Sequence, residues 1–258
     1  VTETTADRIA VRTFGTGSQP VLALHCGLGS GAMWKGVSAF APSVAITAPD
    51  LPGHGRSAPF EDGRDVHDQA TEAMRPLFAA GVHLVGHSFG ATVALRLALE
   101  TPALVSKLTL IEPVFFAAAQ GRAGFEEQRK REEAVFSVFE TGDHLAAARA
   151  FNRVWGGGIR WERFSEAARQ AMANGMPFVA ATKASLWQDC HGLLNAGGLE
   201  SLTMPVQFLR GAQTVPIIAE IHAGLMARLP HTHETVVPEA GHMLVSTHPE
   251  AVASVLRG

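Results

Sequence analysis

The chain has 258 residues, 47% of them hydrophobic and 17% charged, with a formal net charge of −3. That length suits one large domain or a core with an inserted segment, and the composition argues against disorder. With no dense basic run, binding to nucleic acid or to an anionic membrane is not expected. No apolar run approaches the ~18–20 residues of a membrane helix. The stretch "VTETTADRIA" has no basic segment followed by an apolar one, so no signal peptide is visible. Cys26 and Cys190 stand far apart in no paired motif, which disfavours a disulfide framework or zinc site and is compatible with a reducing compartment. A cytoplasmic protein is the resulting expectation.

Short runs rich in Val, Ile and Leu then alternate with longer helix-period stretches. The strand-like runs are 8–14, 20–25, 43–48, 82–86, 106–111, 204–209 and 232–237, the first as an edge strand. Several are almost continuously apolar, as when helices cover both faces of a sheet. The alternation predicts a mostly parallel, doubly wound α/β sheet. It breaks between about 114 and 200, which reads as helices only. These are 122–140, with Glu126/Lys130 and Glu127/Arg131 pairs; a helix from Asp143, an N-cap, to the stop at Gly156-Gly157-Gly158; then 161–174 and 177–189. The division is a core at 1–113 and 201–258 with an all-helical cap at 114–200.

The strongest local pattern is Gly86-His87-Ser88-Phe89-Gly90, placed where an apolar strand ends and an Ala/Leu helix begins. A nucleophile on a sharp strand-to-helix turn needs small neighbours. The turn also aims the hydroxyl at a helix N-terminus, which favours developing negative charge. A second pattern, "LALHCGLGSGAMW" at 22–34, has two readings. Gly27-x-Gly29-x-x-Ala32 with Asp50 about 20 residues on matches a dinucleotide fingerprint. Alternatively, the loop offers backbone N–H groups of Gly27 or Leu28 to a carbonyl oxygen turning negative. The serine turn favours the second reading. "PDLPGHGRS" at 49–57 reads only as a loop.

Together with "PEAGHMLVSTHPE" near the C-terminus, these segments resemble the α/β-hydrolase superfamily over residues 8–112 and 203–257. Cys26 departs from the usual glycine, and Ala91 from a further glycine. The resemblance implies Ser88 as nucleophile, His242 as base, and an oxyanion hole from Gly27, Leu28 and Phe89. His248, His231, His233, His87, His54 and His25 are set aside as loop, strand-end or buried hydrogen-bonding residues. His231 and His233 form an H-x-H with no third metal ligand evident. The acid commonly stands three residues past the glycine that is here Gly211, where this chain has Thr214. Glu112 ends the preceding apolar strand, at a sheet edge where ligands bind, and keeps the order Ser88…Glu112…His242. It is therefore taken as the acid, with Asp189 as the alternative.

The expected activity is serine hydrolysis of an ester or related acyl compound, with no cofactor and no metal. Carbon–carbon bond hydrolysis, cofactor-free perhydrolysis and a non-catalytic binding protein stay open, while a serine nucleophile argues against dehalogenation. The substrate is expected to be small to medium in size and at least partly apolar. Trp34, Phe115, Phe116, Trp155 and Trp187 are candidate pocket residues, and among the cap side chains Trp161, Phe164, Met172 and Phe178 share that potential. For each taken singly, packing inside the cap is the commoner role. Oligomeric state is not read from the sequence.

Overall fold

A computed structural model describes residues 9–257. Arg8, where the sequence reading begins its first strand, and most of "VTETTADRIA" lie outside them. Seven strands follow in chain order: β1 (Val11–Phe14), β2 (Pro20–Leu24), β3 (Ala45–Pro49), β4 (Val82–His87), β5 (Val105–Ile111), β6 (Val206–Gly211) and β7 (Thr232–Val237). They form one sheet in the order β1-β3-β2-β4-β5-β6-β7, parallel except for β1, which runs antiparallel to β3. All seven strand-like runs therefore become strands. The sixth starts at Val206 rather than at 204, because Pro205 has no N–H for the ladder.

Alternate side chains explain the two-sided burial. Leu22 and Leu24 of β2, Leu84 of β4 and Leu108 and Leu110 of β5 enter one core. Val21, Ala23, Ile46, Val85 and Ile111 enter the other, with Trp34 and Val37 of α1 (Trp34–Phe40). The first core is roofed by α2 (Val66–Met74) and α3 (Phe89–Glu100). In α3, Ala91, Ala94, Leu95 and Ala98 are all buried, so its apolar face lies flat against the sheet.

Between β5 and β6 the chain is helical: α4 (Phe125–Glu140), α5 (His144–Trp155), α6 (Glu166–Asn174), α7 (Met176–Ala181) and α8 (Lys183–Trp187). Asp143 caps α5 by accepting from Ala146 N–H at 2.9 Å, and Gly156 ends it. Arg131 pairs with Glu127 as expected, but Glu126 turns to Arg129 at 2.7 Å instead of Lys130. The expected 161–174 helix is a 3-10 turn followed by α6, whose N-cap is Ser165. The expected 177–189 helix is two short helices broken at Thr182. Val135, Phe136, Ala147, Trp161 and Met176 pack a small apolar cluster of their own. Both ends of the insert, Phe115 to Ala119 and Leu186 to Leu199, join the main core instead, as do Trp155 and Phe178 from its middle. The chain closes with α9 (Ile217–Met226), α10 (Leu244–Thr247) and α11 (Pro249–Arg257).

Strands β3 and β4 lie on opposite sides of β2, so chain direction along the sheet reverses there. Crevices at such reversals, beyond the C-terminal strand ends, are where open α/β sheets receive ligands. The loop after β2 and the turn after β4 both open onto this one.

Candidate active site

Ser88 joins β4 to α3 with φ 56° and ψ −118°. A side chain held there costs of order 1–3 kcal/mol, which the surroundings must hold in place. They do so through backbone contact. A Cβ at Gly86 would lie 2.3 Å from Gly90 O, and one at Gly90 would lie 2.4 Å from His25 O and 2.7 Å from Leu24 O. Glycine at both positions thus lets the start of α3 press onto β4 and the end of β2. Ser88 N–H donates to Ile111 O at 2.9 Å, locking the turn to β5.

His242 lies in the loop between β7 and α10 and is 4% exposed. Its Nε2 is 3.0 Å from Ser88 Oγ and its Nδ1 is 2.9 Å from Glu112 Oε2. His87 Nε2–H donates to the His242 carbonyl oxygen at 2.8 Å, so the elbow also steadies the histidine loop. The Trp155 ring sits edge-on against the imidazole with centroids 4.7 Å apart.

Glu112 follows β5 with φ 50° and is fully buried. Gly211 N–H donates to its Oε1 at 2.7 Å, and the Thr214 hydroxyl donates to its Oε2. Burial alone would raise its pKa. The His242 hydrogen bond and charge, then Thr214 and Gly211, outweigh that and hold the carboxyl below its usual range. Thr214, standing where a carboxylate was looked for, is thus a ligand of the carboxylate itself. Asp189 is elsewhere engaged: its oxygens accept from Leu193 and Leu194 N–H at 2.7 and 2.9 Å.

The three backbone groups considered for the oxyanion separate. Leu28 N–H donates to His54 Nε2 at 3.1 Å, and the Leu28 side chain packs under the helical insert beside Gly175. Gly27 and Phe89 line the cavity at Ser88, and Phe89 is the first residue of α3, whose N–H has no helical partner. The engagement of Leu28 was not readable locally, since its acceptor is 26 residues away. His25 supports the same loop: Nδ1–H donates to Cys26 O at 2.7 Å and Nε2 accepts from Leu51 N–H at 2.8 Å. Burial lowers its pKa to about 3, so it is neutral, and burial pushes the neighbouring Cys26 thiol up to about 12. Asp50, the acid of the dinucleotide alternative, is fully buried among Arg12, Gly31 N–H and Arg56 N–H.

The cavity over Ser88 encloses about 80 Å³. Phe116, Trp155 and Trp187 line it, as does Phe178, but Trp34 and Phe115 do not. Trp34 is buried in the core on the far side of the sheet, under α1. Phe115 turns away from the cavity, between Val114 and Phe116, into the core shared with α9. Trp161 packs inside the insert's own cluster, with Phe164 and Met172 partly buried against it. Glu132 of α4 was not singled out from sequence, where it reads as one more charge in "FEEQRKREEA". It is 5% exposed in the cavity wall, accepts from Trp155 Nε1–H at 2.7 Å and Gln128 Nε2–H at 3.0 Å, and burial raises its pKa to about 7. Away from this site, Asp65, Cys190 and His191 are the one group of potential metal ligands among the described residues. Asp65 Oδ1 there is already the N-cap acceptor of α2. His231, just before the edge strand β7, and His233 on it are exposed and lie outside any such group. No helix among the described residues is long and apolar enough to cross a membrane.

Known proteins resemble the chain along almost its whole length. An esterase of Mycobacterium tuberculosis is 28% identical over 98% of this chain and 86% of its own. A pimeloyl-[acyl-carrier protein] methyl ester esterase of Methylococcus capsulatus is 30% identical over 95% of this chain and 96% of its own. Among solved structures, an esterase from Exiguobacterium antarcticum superposes with a TM-score of 0.72 at 19% identity, covering 97% of this chain and 96% of that one, a likeness of fold. The sequence model of the alpha/beta hydrolase family matches residues 21–255, nearly the whole sheet, elbow and histidine loop. The chain belongs to the alpha/beta hydrolase family and is an esterase-like hydrolase.

Proposed function

We propose that the protein cleaves small, partly apolar carboxylic esters through Ser88, His242 and Glu112, by way of an acyl-enzyme. The observation that carries this is the unbroken line from the Ser88 hydroxyl through both imidazole nitrogens to a buried carboxylate, at the floor of an apolar cavity. A serine hydroxyl needs a base within hydrogen-bond reach, and His242 Nε2 has that reach. Ser88 Oγ attacks the ester carbonyl while its proton passes to Nε2. Glu112 holds Nδ1–H and offsets the imidazolium charge. The Gly27 and Phe89 N–H groups receive the oxyanion, each worth roughly 3–4 kcal/mol of barrier. Nε2–H then protonates the departing alcohol oxygen, and water attacks the acyl-enzyme by the same steps. Residues 114–200 serve as the cap that closes the cavity, with Phe116, Trp155 and Trp187 as its apolar wall.

The size of the cavity favours small esters, since pockets that take drug-sized ligands measure ~300–1,000 Å³. A fluorophosphonate probe tests the reading. Wild type should be labelled and Ser88→Ala should not, with p-nitrophenyl acetate and butyrate turnover lost in parallel. An unlabelled wild type that also turns over no short ester would make this a binding protein on a hydrolase fold.

A further inference from the structure

Glu132 is the one acidic side chain in the cavity wall among the described residues, and nothing in the triad chemistry uses it. Both of its neighbours, Trp155 Nε1–H and Gln128 Nε2–H, donate to the same oxygen, Oε1. Oε2 carries no hydrogen bond among the described residues. Lys183, exposed at the rim, lies over the Phe136 ring at 5.4 Å and makes no ion pair with it. Oε2 is not among the buried polar atoms left without a partner, so it is open to water and to the hydrogen bond of a ligand in the cavity.

The position says which part of a substrate it meets. His242 Nε2 delivers its proton to the departing oxygen, so the alcohol portion must lie beside the imidazole. Trp155 rests on that imidazole at 4.7 Å and carries Glu132 on its indole nitrogen. The chemistry says what it recognises. A hydroxyl bonds the free oxygen in either protonation state, donating to a carboxylate or accepting from a carboxylic acid. A methyl group in that place leaves the oxygen unpaired in either state.

We propose that Glu132 is a specificity-determining residue that selects esters whose alcohol portion carries a second hydroxyl, such as monoesters of short diols. This rests on the acyl-transfer reading of Ser88, His242 and Glu112. The test compares the monoacetates of ethane-1,2-diol, propane-1,3-diol and butane-1,4-diol with propyl, butyl and pentyl acetate, in which a methyl replaces the hydroxyl. Wild type should favour the diol monoester about tenfold in kcat/KM for at least one pair, mainly through KM, because Glu132 is remote from the reacting atoms. Glu132→Gln, which retains polar atoms on both sides, should keep much of that preference. Glu132→Leu and Glu132→Met should bring the ratio to one or below while still hydrolysing the alkyl acetates. A wild-type ratio at or below one in all three pairs overturns the proposal whether or not the variants fold. So does a preference that survives in Glu132→Leu or Glu132→Met. Turnover of neither series by wild type would instead mean that the acyl-transfer reading had failed, and this inference with it.

Discussion

Replacing Glu112 by glutamine removes one charge and almost no volume, and the hydrogen bonds around the carboxylate determine the cost. Gly211 N–H donates to Oε1, whereas Thr214 O–H and His242 Nδ1–H converge on Oε2. An amide has one acceptor oxygen for these two places. If that oxygen stays with Gly211, the NH2 faces His242 and forces Nδ1 to accept. The proton then sits on Nε2, which can no longer take one from Ser88. If the amide turns over, its NH2 meets Gly211 N–H donor to donor, at about 1–3 kcal/mol for an unpaired buried group. In either case the imidazolium loses the charge that balances it. A fall in kcat of roughly 10³–10⁴-fold is expected, or about 4–5.5 kcal/mol of barrier at 1.36 kcal/mol per decade. Stopped-flow hydrolysis of p-nitrophenyl acetate separates acylation from deacylation, and both phases should slow. Thermal unfolding of the same sample confirms that the fold is intact. Activity within about threefold of wild type would refute the assignment of Glu112 as the acid. Asp189→Asn serves as the control, losing the cap of the turn at 193–194 with little change in kcat.

Three further outcomes rest on named contacts. Thr214→Asp places a second carboxylate against Glu112 and should impair the wild-type enzyme, yet partly rescue Glu112→Gln; a double-mutant cycle in kcat reads the coupling, and additive losses would contradict it. Gly90→Ala drives a Cβ to 2.4 Å from His25 O and should lower stability by more than about 3 kcal/mol, seen as a lost or sharply lowered melting temperature. His25, His67, His83 and His87 are each held by burial to about 3, against 6.5 in an unfolded chain. Below pH 6.5 the unfolded state therefore binds protons that the fold refuses. Stability is fully present above pH 6.5 and falls as pH drops toward 3, by up to ~1.4 kcal/mol per histidine per pH unit. Urea unfolding at steps from pH 7.5 to 5 should show that decline, and a flat profile would exclude it.

The strands were legible because β2, β4 and most of β5 are covered on both faces and so spell nearly continuous apolar runs, with Gly, Pro or a charge close to their ends. The Ser88 turn was legible for a related reason, since backbone contacts at Gly86 and Gly90 leave their mark as letters. Glu112 could be read as a charge ending an apolar strand, and the vacancy at Thr214 pointed the same way. What escaped the sequence depends on pairing across distance. Nothing in "HCGLG" says that Leu28 N–H is taken by His54. The charge run "REEA" hides Glu132 beside its exposed neighbour Glu133, although its helical spacing from Gln128, Val135 and Phe136 puts it on the buried side of α4 that meets Trp155. Trp34 shows the same limit: a large aromatic just past a glycine-rich loop fits a pocket or a core, and α1 turns it to the core.

Glu112 has one more consequence, for how the protein fails. Its carboxylate gathers Gly211 of β6, Thr214 of the loop beyond it and His242 beyond β7, and β7 is the last strand of the sheet. Edge elements open at lower free energy than the centre of a sheet. Fraying of β7 would carry His242 away while Ser88, rooted in β4, stayed in place. On slow heating, turnover should therefore vanish before the core melts, making catalysis a sensitive gauge of the integrity of one outer strand.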